Sequence, residues 1–326
     1  MCRRELSIPL AVRSTTLSLR NMPHPTPKPS HPETVDPIWL LKAIGITILV
    51  ALLCAWLTLS LLFYRGQWQL VLHPTRTTSA PANVAGAHFE VIHFGLDESA
   101  TPQLAGWWIP APANARYAQS TILFLPGADG SLANSIPTLA NLHNLGINVF
   151  AFDYRGYGQS ADTHPNQEKM TQDADHAWQY LNTSRNIPAH QIIPYGTGVG
   201  ASLATHLALT HPDIPALILD TPQSDLLDTA LRDPRTRLLP VRLLFHERFP
   251  LTDLLAGLRT PKLLISTGTS MHPAFHTAAD PKLTVELSSP TDAFYAQALA
   301  RFLDEYLASA DHQLPSANQL SPPSDH

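Results

Sequence analysis

Five short clusters of chemistry-bearing residues stand where apolar runs end: Pro126-Gly127-Ala128-Asp129-Gly130, Asp153-Tyr154-Arg155-Gly156-Tyr157-Gly158, Gly196-Thr197-Gly198-Val199-Gly200, Asp220-Thr221-Pro222 and Thr267-Gly268-Thr269-Ser270. The third opens a helical pattern, and a glycine-rich entry to a helix offers backbone N–H groups and a favourable dipole to an anion. Read as a dinucleotide turn, Gly196-x-Gly198-x-x-Ala201 would hold a pyrophosphate and Asp220 a ribose. That motif belongs on the first strand of its domain, whereas this one follows several others, so a nucleotide-binding domain is the lesser alternative. His272 and His276 have the four-residue spacing of a metal pair. No third ligand is evident and Pro273 argues against a helix there, so solvated loop histidines are the plainer reading, and no metal and no cofactor are expected. Asp220 likewise reads most simply as a strand-end loop aspartate.

The elements that must position these clusters alternate along the chain. Strand patterns cover residues 88–94, 104–109, 121–125, 148–152, 191–195, 216–219, 262–266 and 282–287. Helical patterns cover 135–145, 167–181, 199–209 and 293–307. Such alternation predicts an α/β fold, a mostly parallel central sheet with helices on both faces, and an antiparallel edge from the early strand pair. Ligands in these folds bind beyond the carboxyl ends of the strands, where all five clusters lie.

One further element precedes the domain. Residues 43–64 carry no charge, and 22 residues of helix span roughly 30 Å, the thickness of a bilayer's hydrocarbon layer. Lys42 and Arg65 bracket the run, and Trp39, Tyr64 and Trp68 fall at interfacial positions. The expected organisation is a disordered N-terminal arm at 1–42, a transmembrane helix at 43–64, a globular domain at 65–308 and a flexible tail at 309–326. Arg3, Arg4, Arg13, Arg20, Lys28 and Lys42 precede or open the helix and only Arg65 and Arg76 closely follow it, which places the arm in the cytoplasm and the domain outside it. The chain has 326 residues and a net charge near −5, which excludes a general nucleic-acid role, and the bilayer is the partner through residues 43–64. Cys2 and Cys54 cannot build a disulfide framework in the domain.

The order of clusters resembles the α/β-hydrolase superfamily, in particular its membrane-anchored, lidless serine hydrolases. Gly106-Trp107-Trp108-Ile109-Pro110 is similar to that group's second strand, and Phe152-Asp153-Tyr154-Arg155-Gly156-Tyr157-Gly158-Gln159-Ser160 matches the exit of its fourth. Residues 248–265, from Arg248-Phe249-Pro250 to Leu263-Leu264-Ile265, resemble the approach to its seventh strand. The resemblance implies a nucleophile in G-x-S-x-G, an acid after the seventh strand and a histidine after the last. By position these are Gly198, Ser270 and Pro290, none of which can serve. A shifted register would make Thr197 or Ser202 the nucleophile, but Thr197 precedes the apex and Ser202 lies a helical turn beyond it. Asp220 and His272 are the displaced polar groups that could stand in for acid and base. The family's oxyanion hole uses backbone N–H groups, which fall at Ala128 and Val199. Asp129 would set a negative charge beside them.

Loss of all three triad positions points to a pseudohydrolase, a tethered binding or scaffolding domain holding a small molecule or protein in the old substrate cleft. The alternative is an active hydrolase with displaced residues, performing esterase, thioesterase or lipase-like acyl transfer.

Overall fold

The computed structural model describes residues 36–84, 86–267, 271–287 and 293–313. The expectations for Ser270 and Pro290, for most of the N-terminal arm and for most of the tail therefore lie outside the described residues. The chain divides into two compact units, Met1–Cys54 and Ala55–His326.

The first helix, α1 (Pro37–Gly66), begins six residues before the uncharged run and continues through it. Pro37 starts it naturally, since a proline in the first turn has no N–H to leave unpaired. The helix is long and apolar enough to cross a membrane. Its single buried residue is Ser60, and most of its large apolar side chains are exposed. A helix that buries so little of its apolar surface against the protein gains little hydrophobic stabilisation from it in water.

The remaining chain builds an eight-stranded sheet: β1 (Glu90–Leu96), β2 (Pro102–Ile109), β3 (Tyr117–Leu125), β4 (Ile147–Asp153), β5 (Ile192–Gly198), β6 (Leu217–Pro222), β7 (Lys262–Thr267) and β8 (Lys282–Leu287). The spatial order is β1-β2-β4-β3-β5-β6-β7-β8. Only β2 runs against its neighbours, pairing antiparallel with β1 (Val91 opposite Trp107) and with β4 (Gly106 opposite Phe152). The other pairings are parallel, with Ile122 beside Val149 and Leu125 beside Gly196.

Alternation along the strands sorts the core into two halves. Leu123, Leu125, Phe150 and Phe152 face one side and pack on α3 (Gln167–Gln179) and α4 (Gly200–Thr210) through Met170, Trp178, Leu203 and Leu207. Ile122, Phe124, Val149 and Tyr195 face the other side, where α2 (Ile136–Asn144) and α9 (Ala293–Gln313) bring Leu139, Leu142, Leu299 and Phe302. Central strands buried on both faces read as unbroken apolar runs, which is why the sequence shows them so clearly.

Between β6 and β7 the chain makes three short helices, α5 (Leu227–Arg232), α6 (Val241–Leu244) and α7 (Thr252–Gly257), and a fourth, α8 (Pro273–Thr277), follows β7. The last corrects the reading of Pro273. It stands at the first helical position, where proline is favoured, and the His272 side chain caps the turn by accepting the Ala274 N–H.

Candidate active site

The turn from β5 into α4 is the centre of the site. Gly198 has φ of +53°, in the left-handed region that a residue with a Cβ enters only at a cost. Gly200 is fixed by space, because a Cβ there would come within 2.2 Å of the Leu125 carbonyl oxygen. The helix N-terminus is thereby drawn onto the end of β3, beside the loop 126–130. A Cβ at Gly198 would lie 3.1 Å from the Gly127 Cα and 3.9 Å from both the Ala128 N and the Gln223 Oε1. The two expected backbone donors, Ala128 and Val199, thus flank the apex, and the apex itself has no side chain.

The Asp153–Gly158 cluster supports the loop. Tyr154 Oη donates to the Pro126 carbonyl at 3.2 Å and Tyr157 Oη to the Ala128 carbonyl at 2.9 Å. The Asp153 carboxylate accepts the Leu132 N–H at 2.7 Å just beyond the loop. Arg155 ties the same cluster to α3 through Asp173 at 2.6 Å, one partner fully buried.

A cleft of about 340 Å³ opens nearby, lined by Leu70, Val71, His73, Asp129, Gln223 and His272 among others. Asp129 Oδ1 pairs with His73 Nδ1 at 2.8 Å. His272 Nε2 is 3.2 Å from Ser224 Oγ, also in the cleft wall. The imidazole is therefore half-buried and bonded, rather than solvated as the sequence suggested. Burial lowers its pKa, and the neighbouring Asp225 charge only partly offsets this. His276, one turn on, is exposed.

Asp220 also departs from the loop reading. It lies within β6, buried, with Oδ2 accepting from Tyr195 Oη at 2.6 Å and Oδ1 from Thr221 Oγ1 at 2.8 Å. Tyr195 Oη in turn meets Tyr295 Oη. Burial raises the carboxyl pKa despite these hydroxyl bonds, which favour the anion. Both oxygens accept from hydroxyls, and among the described residues no histidine is bonded to the carboxylate. Ser202 is buried and donates to the Pro250 carbonyl at 2.6 Å, so it braces α4 and offers no nucleophile. Among the described residues no three His, Cys, Asp or Glu side chains gather as a metal site requires.

Of the residues the sequence singled out, Gly198, Ala128 and Val199 meet at the turn and His272 stands in the cleft wall; His73, Gln223 and Ser224, in the same wall, were not singled out. Ser224 carried a weak signal, two residues beyond a strand end. His73 carried none, since its partner Asp129 is 56 residues away.

A mostly parallel sheet with one reversed strand, and a sharp β5–α4 turn at its centre, define an α/β-hydrolase fold. The model of the family described as serine aminopeptidase, S33 (Hydrolase_4) matches residues 117–304, more than half of the chain, and the chain belongs to that family. It is 29% identical over 167 residues to an uncharacterised protein of Mycobacterium tuberculosis, covering 51% of this chain and 57% of that protein. It is 29% identical over 159 residues to the alpha/beta hydrolase domain-containing protein WAV2 of Arabidopsis thaliana, covering 48% and 51% respectively. The chain thus spans about half the length of the curated relatives it matches. Among solved structures, an esterase from Pyrococcus furiosus superposes with a TM-score of 0.57 at 18% identity, covering 73% of this chain and 98% of that one. At that identity the likeness shows the fold alone.

Proposed function

We propose that this protein is a membrane-tethered pseudohydrolase that binds a ligand in the cleft beside Gly198 without turning it over. The observation that carries this reading is the turn apex: Gly198 keeps the left-handed backbone of a nucleophile elbow and supplies no atom to attack a carbonyl. The sequence supports it at the other two positions, where Ser270 and Pro290 stand in place of acid and base. The cleft wall carries polar Gln223 and His272 and apolar Leu70, Val71 and Leu226, and Gln223 links it to the turn, its Oε1 lying 3.9 Å from a Cβ placed at Gly198. The purified protein treated with a fluorophosphonate probe should show no covalent label, and short-chain esters should hydrolyse no faster than in buffer. A stable adduct on any serine would overturn the reading.

One observation favours a second reading, an active hydrolase with displaced residues: Ser224 and His272 form a serine–histidine contact in the same cleft. Its chemistry is incomplete. His272 Nδ1 accepts the Ala274 N–H at 3.2 Å, which leaves the ring proton on Nε2, so that nitrogen donates to Ser224 rather than taking its proton. Among the described residues Nδ1 is bonded to the Ala274 N–H and to no carboxylate. Under this reading the probe would label Ser224 and the Ser224→Ala and His272→Ala variants would both lose the label.

The tether is α1, with the arm in the cytoplasm and the domain beyond the membrane; the six basic residues that precede or open the helix support that orientation. A cysteine placed at exposed Glu98, in a Cys2→Ser/Cys54→Ser background, should react with a membrane-impermeant maleimide added to cells whose plasma membrane is intact. Labelling only after permeabilisation would reverse the orientation.

A further inference from the structure

The last turns of α1 and the segment 234–248 lie side by side. Trp56 Nε1 donates to the Leu238 carbonyl at 2.9 Å. Further along, the buried Gln67 side chain donates to the Leu244 carbonyl at 3.1 Å, meets His246 Nδ1 at 2.7 Å and accepts the His246 N–H at 2.7 Å. The Tyr64 ring lies 5.0 Å from that imidazole. From Trp56 to Gln67 a helix rises about 16 Å, so residues 238–246 run along it for that distance.

The exposed leucines decide how deep this contact sits. Leu57, Leu59, Leu61 and Leu62 follow Trp56, precede Arg65 and are each more than half exposed, at 52, 55, 57 and 62%. If α1 spans a bilayer, these four side chains belong in hydrocarbon, and the membrane surface lies beyond Leu62. The Leu238 carbonyl, bonded to Trp56, is then on the hydrocarbon side of that surface, with the indole satisfying it as lipid cannot.

The segment itself suits such a place. Leu238 and Leu243 are 81% and 82% exposed, more than any other exposed large apolar residue of the described chain, while Val241 and Phe245 are buried in the core. Arg235, Arg237, Arg242 and Arg248 lie within the segment, and its one acid, Glu247, is buried against the Gln167 N–H at 2.6 Å. Arg235 pairs with Asp233, and among the described residues Arg237 and Arg242 make no ion pair. Arginine can bury its stem beside apolar surface while its head forks onto a phosphate.

We propose that residues 234–248 form a second membrane contact, in which Leu238 and Leu243 insert below the headgroups of a bilayer rich in anionic phospholipid and Arg237 and Arg242 bind its phosphates. This rests on α1 being a membrane span. Leu70 and Val71 in the cleft wall follow Gln67 by three and four residues, so the contact holds the cleft's rim at the membrane surface.

The test uses the full chain, with Cys2→Ser and Cys54→Ser, reconstituted in phosphatidylcholine vesicles with or without phosphatidylglycerol. A nitroxide is attached at Leu243→Cys, at Val50→Cys within the span, or at Glu98→Cys on the exposed β1–β2 turn. Power-saturation spectroscopy then compares collisions with oxygen and with a water-soluble nickel chelate. Position 243 should favour oxygen several-fold, as position 50 does, with position 98 favouring nickel. Adding phosphatidylglycerol should raise the oxygen preference at 243, and Arg237→Glu/Arg242→Glu should abolish that rise. A water-like label at 243 with a lipid-like label at 50 overturns the contact and leaves the anchor standing. A water-like label at 50 overturns the anchor itself. A label at 243 shielded from both reagents overturns the proposal in favour of a second copy or a protein partner. A rise that survives the double charge reversal overturns the phosphate contact.

Discussion

Gly198 is where a single residue separates two kinds of protein. The turn around it has the strained backbone that lifts a side chain out of a strand, yet the residue there has none to lift. Restoring serine tests both statements. In Gly198→Ser the new Cβ would sit 3.1 Å from the Gly127 Cα on a backbone at φ +53°. The left-handed conformation and the tight contact together should cost about 1–3 kcal/mol, read as a lower midpoint in thermal or urea unfolding. The variant should still fold, because the loop 126–130 is held from the other side by Tyr154 and Tyr157 and can give by a few tenths of an ångström. It should hydrolyse no ester. His272 is bonded to Ser224 and Asp220 to Tyr195 and Thr221, so the hydroxyl introduced by Gly198→Ser has no base paired to it. Measurable turnover would show that a histidine reaches the elbow after all.

At the scale of elements, what the sequence revealed and what it hid follow from the same physics. The central strands of the sheet were legible because strands covered on both faces must be apolar throughout, and the glycines and prolines that end them are local signals. The elbow was legible for a related reason: Gly196, Gly198 and Gly200 answer to contacts within a few residues and to the adjoining strand end. Residues 226–258 were not legible. Their helices are only four to six residues long, too short to show a period of 3.6, and Pro234, Pro240 and Pro250 interrupt them. What holds this stretch is distant, namely Trp56 and Gln67 on one side and the core around Phe245 on the other. Asp220 misled for a different reason. A strand-end aspartate looks solvated unless one knows that Tyr195 and Tyr295, the second 75 residues further on, converge beneath it. The cleft suffers likewise, since His73 and Asp129 meet through a two-residue parallel pairing of His73–Pro74 with Asp129–Gly130. Local chemistry is written locally; a site assembled from several segments is not.

The folding free energy of the whole domain should carry the signature of a carboxyl buried in the supporting cluster. Asp153 is 4% exposed at the end of β4, and burial pushes its pKa up to about 6, against the opposing pull of the Leu132 and Gln159 N–H groups and the Arg76 charge. In the unfolded chain the same group titrates near 3.9. Between about pH 4 and pH 6 the folded protein therefore holds a proton that the unfolded chain has released. Stability from this group is fully present below the unfolded pKa, falls as pH rises through the window, and is flat above it. A shift of about two units corresponds to roughly 3 kcal/mol. Asp220 and Glu247, also raised by burial, act in the same direction but are common to wild type and variant. The comparison that isolates Asp153 is urea unfolding of the full chain in detergent from pH 4 to pH 7, alongside Asp153→Asn. The amide cannot ionise, and its oxygen can still accept the Leu132 N–H, so the advantage of the wild type over the variant should be greatest near pH 4. That advantage should shrink by about 2–3 kcal/mol by pH 7. A gap that stays constant would mean that Asp153 does not titrate in this range. A gap that widens as pH rises would mean that the ionised carboxylate, held by its N–H donors and Arg76, is the form on which the loop beside Gly198 depends.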